Sequence, residues 1–331
     1  RGLGDVYKRQ TVSRVLNGKP DVSDDVRRKV QAVIDACNYI PNDSARVLVR
    51  TKSEAIGLVV RGVSNPFYTG IIHAIEKTVT DAGFSLVMQQ IPSCGDEVQR
   101  AAVMEREKRL QGIIFLGGRF DYTPEDLAML NVPFVFCSYS NQYGTLRVGE
   151  YSAVSIADEE TARQAVDHLY EHGHRRIAAL ICQEDDQSIS QLRYQGYRKA
   201  LESHGIPVDE ELVMCAGSFD IRDAYEAVRE KLRQGTEFTA LFAIADSMAI
   251  GAMRALRDAG RRIPEDCSVI AIDGLELSAY IEPPLTTLCQ PMEEMGRRSA
   301  QILLGMLRGH GVHCCEVLPT QLREGGSVQS L

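Results

Sequence analysis

The sequence predicts an α/β protein: a short all-helical head, then a body of doubly wound parallel sheets in two similar lobes. From residue 55 onward, short apolar runs alternate with amphipathic helical patterns, which is typical of parallel sheets covered on both faces. Residues 56–83 and 177–205 also echo each other, since both run from an apolar strand through a polar loop to a helix. Residues 1–52 have a different, basic composition.

The alternation places seven strands and five helices in the body. The predicted strands cover residues 56–60, 85–88, 112–116, 134–136, 177–181, 240–244 and 269–272. The predicted helices cover residues 68–82, 159–172, 189–204, 224–233 and 248–259. In sheets of this type a ligand binds at the carboxyl ends of the strands, so the residues that follow strands are the first candidates for a site.

Charge divides the chain in the same place. Residues 1–52 contain 11 Lys or Arg and 6 Asp or Glu, a net of +5. The remaining residues contain 26 and 39, a net of −13, and the two parts sum to −8. A basic head on an acidic body predicts that one end contacts phosphates while the rest avoids binding DNA at random.

Composition favours a reducing compartment over a disulfide framework. The nine cysteines are scattered, mostly inside apolar runs such as FVFCSY, and their number is odd. No apolar run has the length of a membrane span, and no charged-then-apolar leader opens the sequence. We therefore expect a cytoplasmic protein that does not bind membranes.

The head contains a short helix suited to nucleic acid. An apolar face of Val12, Val15 and Leu16 leaves Thr11, Ser13 and Arg14 pointing outward. Such short polar side chains and an arginine fit a major groove, where Arg14 would contact guanine or phosphate. A second amphipathic helix follows, beginning after Ser23 and stopping before Pro41. An ordinary surface helix is the alternative that these residues alone leave open.

Ordered motifs across essentially the whole chain from Thr11 resemble the lactose/galactose-repressor (LacI/GalR) family of bacterial transcription regulators. The head motifs are TVSRVLNG, V-S-x-x-V-R-x-K-V, YIPN and A-R-x-L. The body motifs are SNPFY, GHRRIA, RYQGYRKAL, ADSMAIGAMRAL, IPEDCSVIAIDG and PPLTTLCQP. So many well-separated matches are far more specific than one short motif.

The resemblance implies a helix-turn-helix head and a body like the periplasmic binding proteins. Residues 11–17 would be the recognition helix and residues 42–49 a hinge helix that orders on DNA. Leu48 would wedge between base steps in the minor groove. The implied DNA-contacting residues are Arg9, Gln10, Thr11, Ser13, Arg14, Asn17, Ala45, Arg46 and Leu48.

The predicted boundaries follow from these assignments. Residues 1–10 do not resemble the family's first helix and turn, so we interpret them as a truncated or foreign start with that helix missing. The head then covers 1–41, the hinge helix and linker 42–54, and the body 55–331. The first lobe would contain 55–155 plus 284–314, and the second 156–283 plus 315–331. The resemblance implies crossings between the lobes near 153–157, 281–287 and 312–318.

Residues after strands are the ligand candidates. Phe67 and Tyr68 follow the first strand, and Asp246 and Asp273 follow two later ones. The resemblance adds Arg193 and Phe219 and implies that all six contact the effector, with Gln89, after another strand, as an additional amide. Aromatic rings, carboxylates and a guanidinium suit a sugar or another polyol. Each of these residues could instead have an ordinary structural role. Asp246 could cap a helix and Asp273 could form a turn, while Arg193 could be a solvated helix residue and Phe67 a core residue.

The resemblance therefore implies a homodimeric transcription regulator, a repressor in our interpretation. It would bind near-palindromic operator DNA and respond to a small effector, a sugar or sugar derivative, held between the lobes. No cofactor and no metal is expected. The alternatives are a sugar-binding protein of periplasmic type and an enzyme, although G-x-G-x-x-G, G-x-x-x-x-G-K, H-E-x-x-H and G-x-S-x-G are all absent from the sequence.

Overall fold

The structure, a computed structural model, describes residues 9–16, 21–36, 54–62, 65–92, 95–183 and 187–331. The chain divides into two compact units, Arg1–Thr51 and Lys52–Leu331. No helix among the described residues has the length and apolar character needed to cross a membrane. The seven strands and five helices predicted from the sequence are all present, with ends that differ by up to three residues.

The described part of the first unit is a pair of helices, α1 (Arg9–Leu16) and α2 (Asp24–Ala36). Val15 and Val30 are buried, so each helix contributes an apolar side chain to a very small core. Asp24 and Asp25 lie in the first turn of α2, where the helix dipole favours carboxylates.

The first lobe of the second unit is built on a fully parallel sheet in the order β2-β1-β3-β4-β5-β11. Its strands are β1 (Ala55–Arg61), β2 (Ser85–Ile91), β3 (Gly112–Leu116), β4 (Phe134–Cys137), β5 (Ala153–Ile156) and β11 (Cys315–Leu318). Its helices are α3 (Tyr68–Asp81), α4 (Glu97–Lys108), α5 (Pro124–Leu127) and α10 (Met292–Leu307).

The second lobe repeats this order as β7-β6-β8-β9-β10-β12, with only the edge strand β12 antiparallel. Its strands are β6 (Ile177–Ile181), β7 (Val213–Cys215), β8 (Ala240–Ala243), β9 (Ser268–Asp273), β10 (Thr286–Cys289) and β12 (Gln321–Arg323). Its helices are α6 (Asp158–Glu171), α7 (Ile189–Ser203), α8 (Ile221–Arg233) and α9 (Asp246–Asp258), with short 3₁₀ turns at Glu210–Leu212 and Leu277–Ala279.

The matching strand orders explain the internal echo in the sequence, because residues 56–83 and 177–205 form the same strand-to-helix unit of the two lobes. Side chains also cross from one lobe to the other. Leu275 packs into a core cluster of the first lobe together with Phe67, and Leu192 packs into another with Phe136. The facing edges of the two lobes are therefore in contact, and the carboxyl ends of the strands border the space between them.

The chain crosses between the lobes at Ala157, at 290–291 and at 319–320. The first crossing agrees with the prediction, but the assignment of 284–314 to the first lobe and of 315–331 to the second is wrong at two strands. β10 pairs in parallel with β9, so residues 286–289 belong to the second lobe. β11 pairs with β5, so residues 315–318 belong to the first. The other two crossings consequently lie beyond the predicted stretches 281–287 and 312–318.

Candidate ligand and DNA sites

A buried ionic cluster lies where strand ends of the second lobe meet α7. Arg193, on α7, is 2% exposed, and its Nε donates to Oδ1 of Asp158 at 2.9 Å. Its Nη1 donates to the carbonyl oxygen of Ile244 at 2.5 Å and lies 3.5 Å from Oδ1 of Asp273. Two carboxylates therefore share one guanidinium, and all three side chains are almost completely buried, where charge–charge attraction is stronger than in water.

Asp273 is the strained and incompletely paired member of this cluster. It ends β9 with a φ of 140°, which is rare outside glycine. Nε2 of Gln290 donates to its Oδ1 at 2.8 Å, whereas its buried Oδ2 accepts no hydrogen bond from the described part of the chain. Burial raises the pKa of Asp273 to about 7, with Arg193 opposing the rise and Asp246 adding to it.

The turn after Asp273 requires glycine. Gly274 has a φ of +79°, and a Cβ built on it would lie 2.5 Å from Sγ and 2.7 Å from Cα of Cys289. This close approach brings the end of β9 beside β10, so that Gln290 reaches Asp273.

Asp246 is fully occupied by the protein itself. Its Oδ2 accepts from the backbone N of Leu275 at 2.8 Å and from Oγ of Ser278 at 2.7 Å, and its Oδ1 accepts from Oγ1 of Thr287 at 2.5 Å. Burial raises its pKa, and the hydrogen bonds from Thr287 and Ser278 oppose the rise. Asp246 therefore ties the start of α9 to the loop after β9 and to β10.

A Thr287→Val variant tests this role. The substitution keeps the side-chain shape but removes the hydroxyl donor from a buried carboxylate, so we expect a loss of about 1–2 kcal/mol in the free energy of unfolding. Urea denaturation measures the loss, and Thr80→Val at an exposed position of α3 is the matched control. Equal stability of the two variants would show that Thr287 does not support Asp246.

Tyr68 faces the cluster from the first lobe. Burial raises the pKa of its hydroxyl to about 12, and the charges of Asp273 and Arg193 both act on it. Gly117, after β3, leaves room for it, because a Cβ there would lie 2.6 Å from the Tyr68 oxygen. Phe67 instead packs in the first lobe's core, 3% exposed, with its ring centroid 5.7 Å from that of Tyr68.

The remaining two predicted ligand residues lie elsewhere in the body. Gln89 lies on the edge strand β2, and its side-chain amide faces Arg100 of α4. When the amide is oriented with its oxygen toward Arg100, that oxygen accepts from Nε at 2.8 Å and from Nη2 at 3.1 Å. Phe219 packs half-buried against the core of the second lobe, and its carbonyl accepts from Oγ of Ser247 at 2.8 Å, beside Asp246. The structure thus brings together Tyr68, Arg193 and Asp273, with Asp246 and Phe219 bordering them.

Sequence reasoning missed four polar members of this region. Asp158 accepts a hydrogen bond from Arg193, and Gln290 donates one to Asp273. In the first lobe, Glu97 is 1% exposed and accepts from Nη1 of Arg61, at the end of β1, at 3.0 and 3.2 Å, and from the Tyr122 hydroxyl. Three of these residues lie at or next to the ends of strands, namely Asp158, Gln290 and Arg61. A sequence analysis with complete strand boundaries would therefore have included them among the candidates.

The head presents part of its predicted DNA surface. Arg9, Gln10, Thr11, Ser13 and Arg14 all belong to α1. The Arg14 side chain is 58% exposed and forms an ion pair with Asp21 at 3.3 Å, whereas Thr11 is half-buried. The predicted contacts Asn17, Ala45, Arg46 and Leu48 lie outside the described residues, as does the predicted hinge helix 42–49.

The histidines and late cysteines carry no metal-site geometry. His168 and His172 stack with ring centroids 4.2 Å apart, and Nδ1 of His313 lies 3.2 Å from Oγ of Ser152. Within the described ranges, no group of three or more His, Cys, Asp or Glu residues is placed to hold a metal ion.

Family models match both parts of the chain. Residues 9–42 match the model for bacterial regulatory proteins of the lacI family, and residues 166–328 match that for periplasmic binding protein-like domains. The HTH-type transcriptional regulator MalR of Clostridium butyricum is 36% identical over 319 residues, which cover 96% of this chain and 94% of MalR.

Two solved structures have the same fold over nearly the full chain. A transcriptional regulator CelR–cellobiose complex superimposes with a TM-score of 0.74 at 33% identity, over 97% of this chain and 96% of that one. A Lac repressor dimer bound to operator and the anti-inducer ONPF gives a TM-score of 0.78 at 29% identity, over 97% and 95%. These relatives are transcription regulators, as the sequence predicted, and neither periplasmic binding proteins nor enzymes. The chain belongs to the lacI family of bacterial regulatory proteins.

Proposed function

We propose that this protein is a DNA-binding transcription regulator, a repressor, whose operator affinity is controlled by a sugar bound between its two lobes. The observation that carries the proposal is the buried Arg193–Asp158–Asp273 cluster, with an unpaired Asp273 oxygen and Tyr68 facing it. A strained, incompletely satisfied polar group at strand ends is the arrangement expected of a ligand site.

The chemistry of the cluster favours a ligand with several hydroxyl groups. The free lone pairs of Asp273 need a donor, and a hydroxyl supplies one while accepting from a guanidinium. Tyr68 and Phe219 offer ring faces for the C–H surface of a sugar. A related regulator, CelR, has been solved with cellobiose. We assign Tyr68, Phe219, Arg193, Asp273 and Gln290 to ligand contact.

The other predicted residues take supporting roles in this proposal. Phe67 packs behind Tyr68, and Asp246 holds the loop after β9. Gln89 contacts Arg100 and would reach a ligand only through movement of the edge strand.

DNA recognition is assigned to the head. Its helices expose Arg14, and the net charge of +5 in residues 1–52 suits phosphate contacts. The two heads of a homodimer would read the halves of a near-palindromic operator. Because that DNA is in the cytoplasm, we place the protein there.

The candidate ligand site is directly connected to the segments at which the chain crosses between the lobes. Asp158 directly follows the crossing at Ala157, and Gln290 stands at the second crossing. Both side chains contact the Arg193–Asp273 cluster. A ligand that rearranges this cluster therefore acts on the segments that set the angle between the lobes, and differential affinity for two lobe arrangements typically gives ~1–3 kcal/mol of coupling.

The direct test is selection of genomic DNA fragments by the purified protein, followed by gel-shift titration with and without cellobiose, maltose, glucose and galactose. We expect nanomolar binding to a near-palindromic fragment and at least about a tenfold change in affinity with one sugar, the size that 1.4 kcal/mol of coupling gives. Equal affinity for selected and random DNA would refute regulation by sequence-specific binding.

An apolar surface of the body is the proposed contact with a second copy. A depression of about 280 Å³ is lined by Pro66, Thr69, Ile221, Ser247, Ile250, Leu275, Glu276 and Leu277. Leu277 is 57% exposed and nearby Tyr280 79% exposed, which is unusual for large apolar side chains. A related protein, the Lac repressor, has been solved as a dimer.

A Leu277→Asp variant is expected to be monomeric in sedimentation velocity at micromolar concentration. Its operator affinity should fall by about 100-fold or more, because two linked heads bind with a high effective concentration that a single head lacks. Val148→Asp, at a position 89% exposed, is the matched control and should leave the dimer intact. A dimer that persists in the Leu277 variant would place the subunit contact elsewhere.

A further inference from the structure

The exposed arginine of the head, Arg14, is paired with an aspartate. Nη1 of Arg14, on α1, lies 3.3 Å from Oδ2 of Asp21, which precedes α2, and the two side chains are 58% and 53% exposed. An ion pair that is this exposed adds little to the stability of a fold. The pair is therefore better explained by a function of the head than by its stability.

Asp21 differs from the other acidic residues that the structure describes in the head. Asp24 and Asp25 lie in the first turn of α2, where the helix dipole favours carboxylates. Asp35, in the last turn of α2, accepts from Nε2 of Gln31 at 2.9 Å. These three carboxylates are accounted for by α2 itself. Asp21 lies outside both helices and contacts the arginine that we assign to DNA.

A carboxylate at this position opposes binding to DNA in general. The phosphates of DNA are negative, and the net charge of +5 in residues 1–52 attracts the head to them. Asp21 weakens that attraction beside an exposed arginine. Such a charge benefits a DNA-binding protein when it lowers the affinity for random sequences more than the affinity for the correct one.

The pair leaves Arg14 able to contact a base. A guanidinium carries five N–H donors in one plane, and Asp21 lies beside Nη1. Within the described residues, the edge formed by Nε and Nη2 has no acceptor, and its two N–H groups match the O6 and N7 acceptors of guanine in the major groove. A guanidinium that is held at Nη1 is also less free to turn toward a phosphate.

We propose that Asp21 determines specificity by positioning the Arg14 guanidinium toward a guanine of the operator and by reducing its contacts with phosphates. The inference rests on the proposed function, because it concerns the same DNA-binding head. Asp21 acts through Arg14 and contributes selectivity at the expense of affinity. Its removal makes the protein bind random DNA more tightly and operator DNA less selectively.

Counterion release gives the size of the expected changes. One additional phosphate contact steepens the dependence of log K on log salt concentration by about 0.9 and raises affinity about eightfold at about 0.1 M salt. Asp21→Asn releases Arg14 toward the phosphates, so its affinity for random duplex should rise by up to about eightfold for each head. Replacing the guanine should cost the parent protein about tenfold or more per half-site, and Asp21→Asn less than about threefold.

Two kinds of duplex test the proposal on the full chain. Duplexes that the parent protein selects from a random library and scrambled duplexes of the same composition are titrated by fluorescence anisotropy at several KCl concentrations. Asp35→Asn is the matched control, because it removes the same charge from an exposed position of the same head whose contact is Gln31. Asp21→Glu keeps the charge but displaces the carboxylate by one methylene. It should relax the selectivity without raising the affinity for scrambled duplex.

Two results would overturn the role of Asp21. One is a rise in affinity for scrambled duplex that is no larger in Asp21→Asn than in Asp35→Asn. The other is an unchanged ratio of selected to scrambled affinity. If circular dichroism shows that Asp21→Asn loses helix, the ratio in Asp21→Glu decides.

An Arg14→Ala background tests whether Asp21 acts through the arginine. Asp21→Asn should there have no further effect on the ratio, and an effect that persists would contradict the positioning role. A parent protein that prefers no duplex would contradict the proposed function itself. A preference that survives unchanged in Asp21→Asn contradicts this inference alone.

Discussion

An Arg193→Met variant is expected to lose about 3–5 kcal/mol in its free energy of unfolding at pH 8, and with it all measurable effector binding. Methionine occupies a similar volume without charge. It leaves Asp158 and Asp273 buried without the guanidinium that both now contact, and leaves the Ile244 carbonyl without its donor. Urea denaturation followed by circular dichroism measures the stability loss, and calorimetry with the best-binding sugar measures the affinity.

Two comparisons sharpen this result. Arg262→Met removes an arginine from an exposed ion pair with Asp266 and should change stability by less than about 1 kcal/mol. The double variant Arg193→Met/Asp158→Asn should be more stable than Arg193→Met alone, because it removes one of the uncompensated charges. A loss below about 1 kcal/mol for Arg193→Met would mean that the carboxylates do not depend on this arginine.

Most of the strands that the sequence predicted are almost continuously buried, the edge strand β2 with its exposed positions being the exception. Ile56, Ile177 and Val269 belong to runs that are buried on both faces and therefore read as unbroken apolar segments. β11 and β12, by contrast, are short edge strands with exposed positions, such as Val317 at 63%. Their pairing depends on partners more than 30 residues away, such as β5 for β11, and no local pattern records it. The wrong lobe assignment of 315–318 has the same origin, whereas residues 286–289 were misassigned because β10 is too short and polar to be recognised as a strand.

The ligand site divides in a similar way. Tyr68 and Asp273 were found because each follows an apolar strand, and Arg193 was found only through the family resemblance. Gln290 was missed because its strand, TTLC, was too short and polar to be recognised. Asp158 looks like an ordinary first-turn acid of α6, and its contact with Arg193 spans 35 residues of sequence. Asp246 was predicted to contact the ligand, but in the structure its carboxylate accepts hydrogen bonds from three donors of the protein itself.

Asp273→Asn is expected to make the ligand-free protein more stable above pH 7, by up to about 4 kcal/mol at pH 9, while abolishing effector binding. The reason is the raised pKa of Asp273, about 7 in the folded protein against 3.8 for an unperturbed carboxyl, with burial as the main cause. Above pH 7 the folded parent protein holds this buried group as an anion. An asparagine keeps an oxygen for Nε2 of Gln290 and carries no charge.

The pH dependence gives the sign of the effect. Between pH 4 and pH 7 the folded state of the parent protein binds more protons at Asp273 than the unfolded state, so its stability falls as pH rises through this window. The Asp273→Asn protein should lack this slope. Asp266→Asn, which removes an exposed carboxyl whose pKa Arg262 lowers, should keep it. Urea denaturation midpoints from pH 4 to pH 9 measure the stability of the parent protein and of both variants. If stability depends on pH in the same way for the parent and for Asp273→Asn, folding does not raise the pKa of Asp273. The combination of higher stability with lost binding would identify the buried charge as one that the fold tolerates for the sake of its ligand.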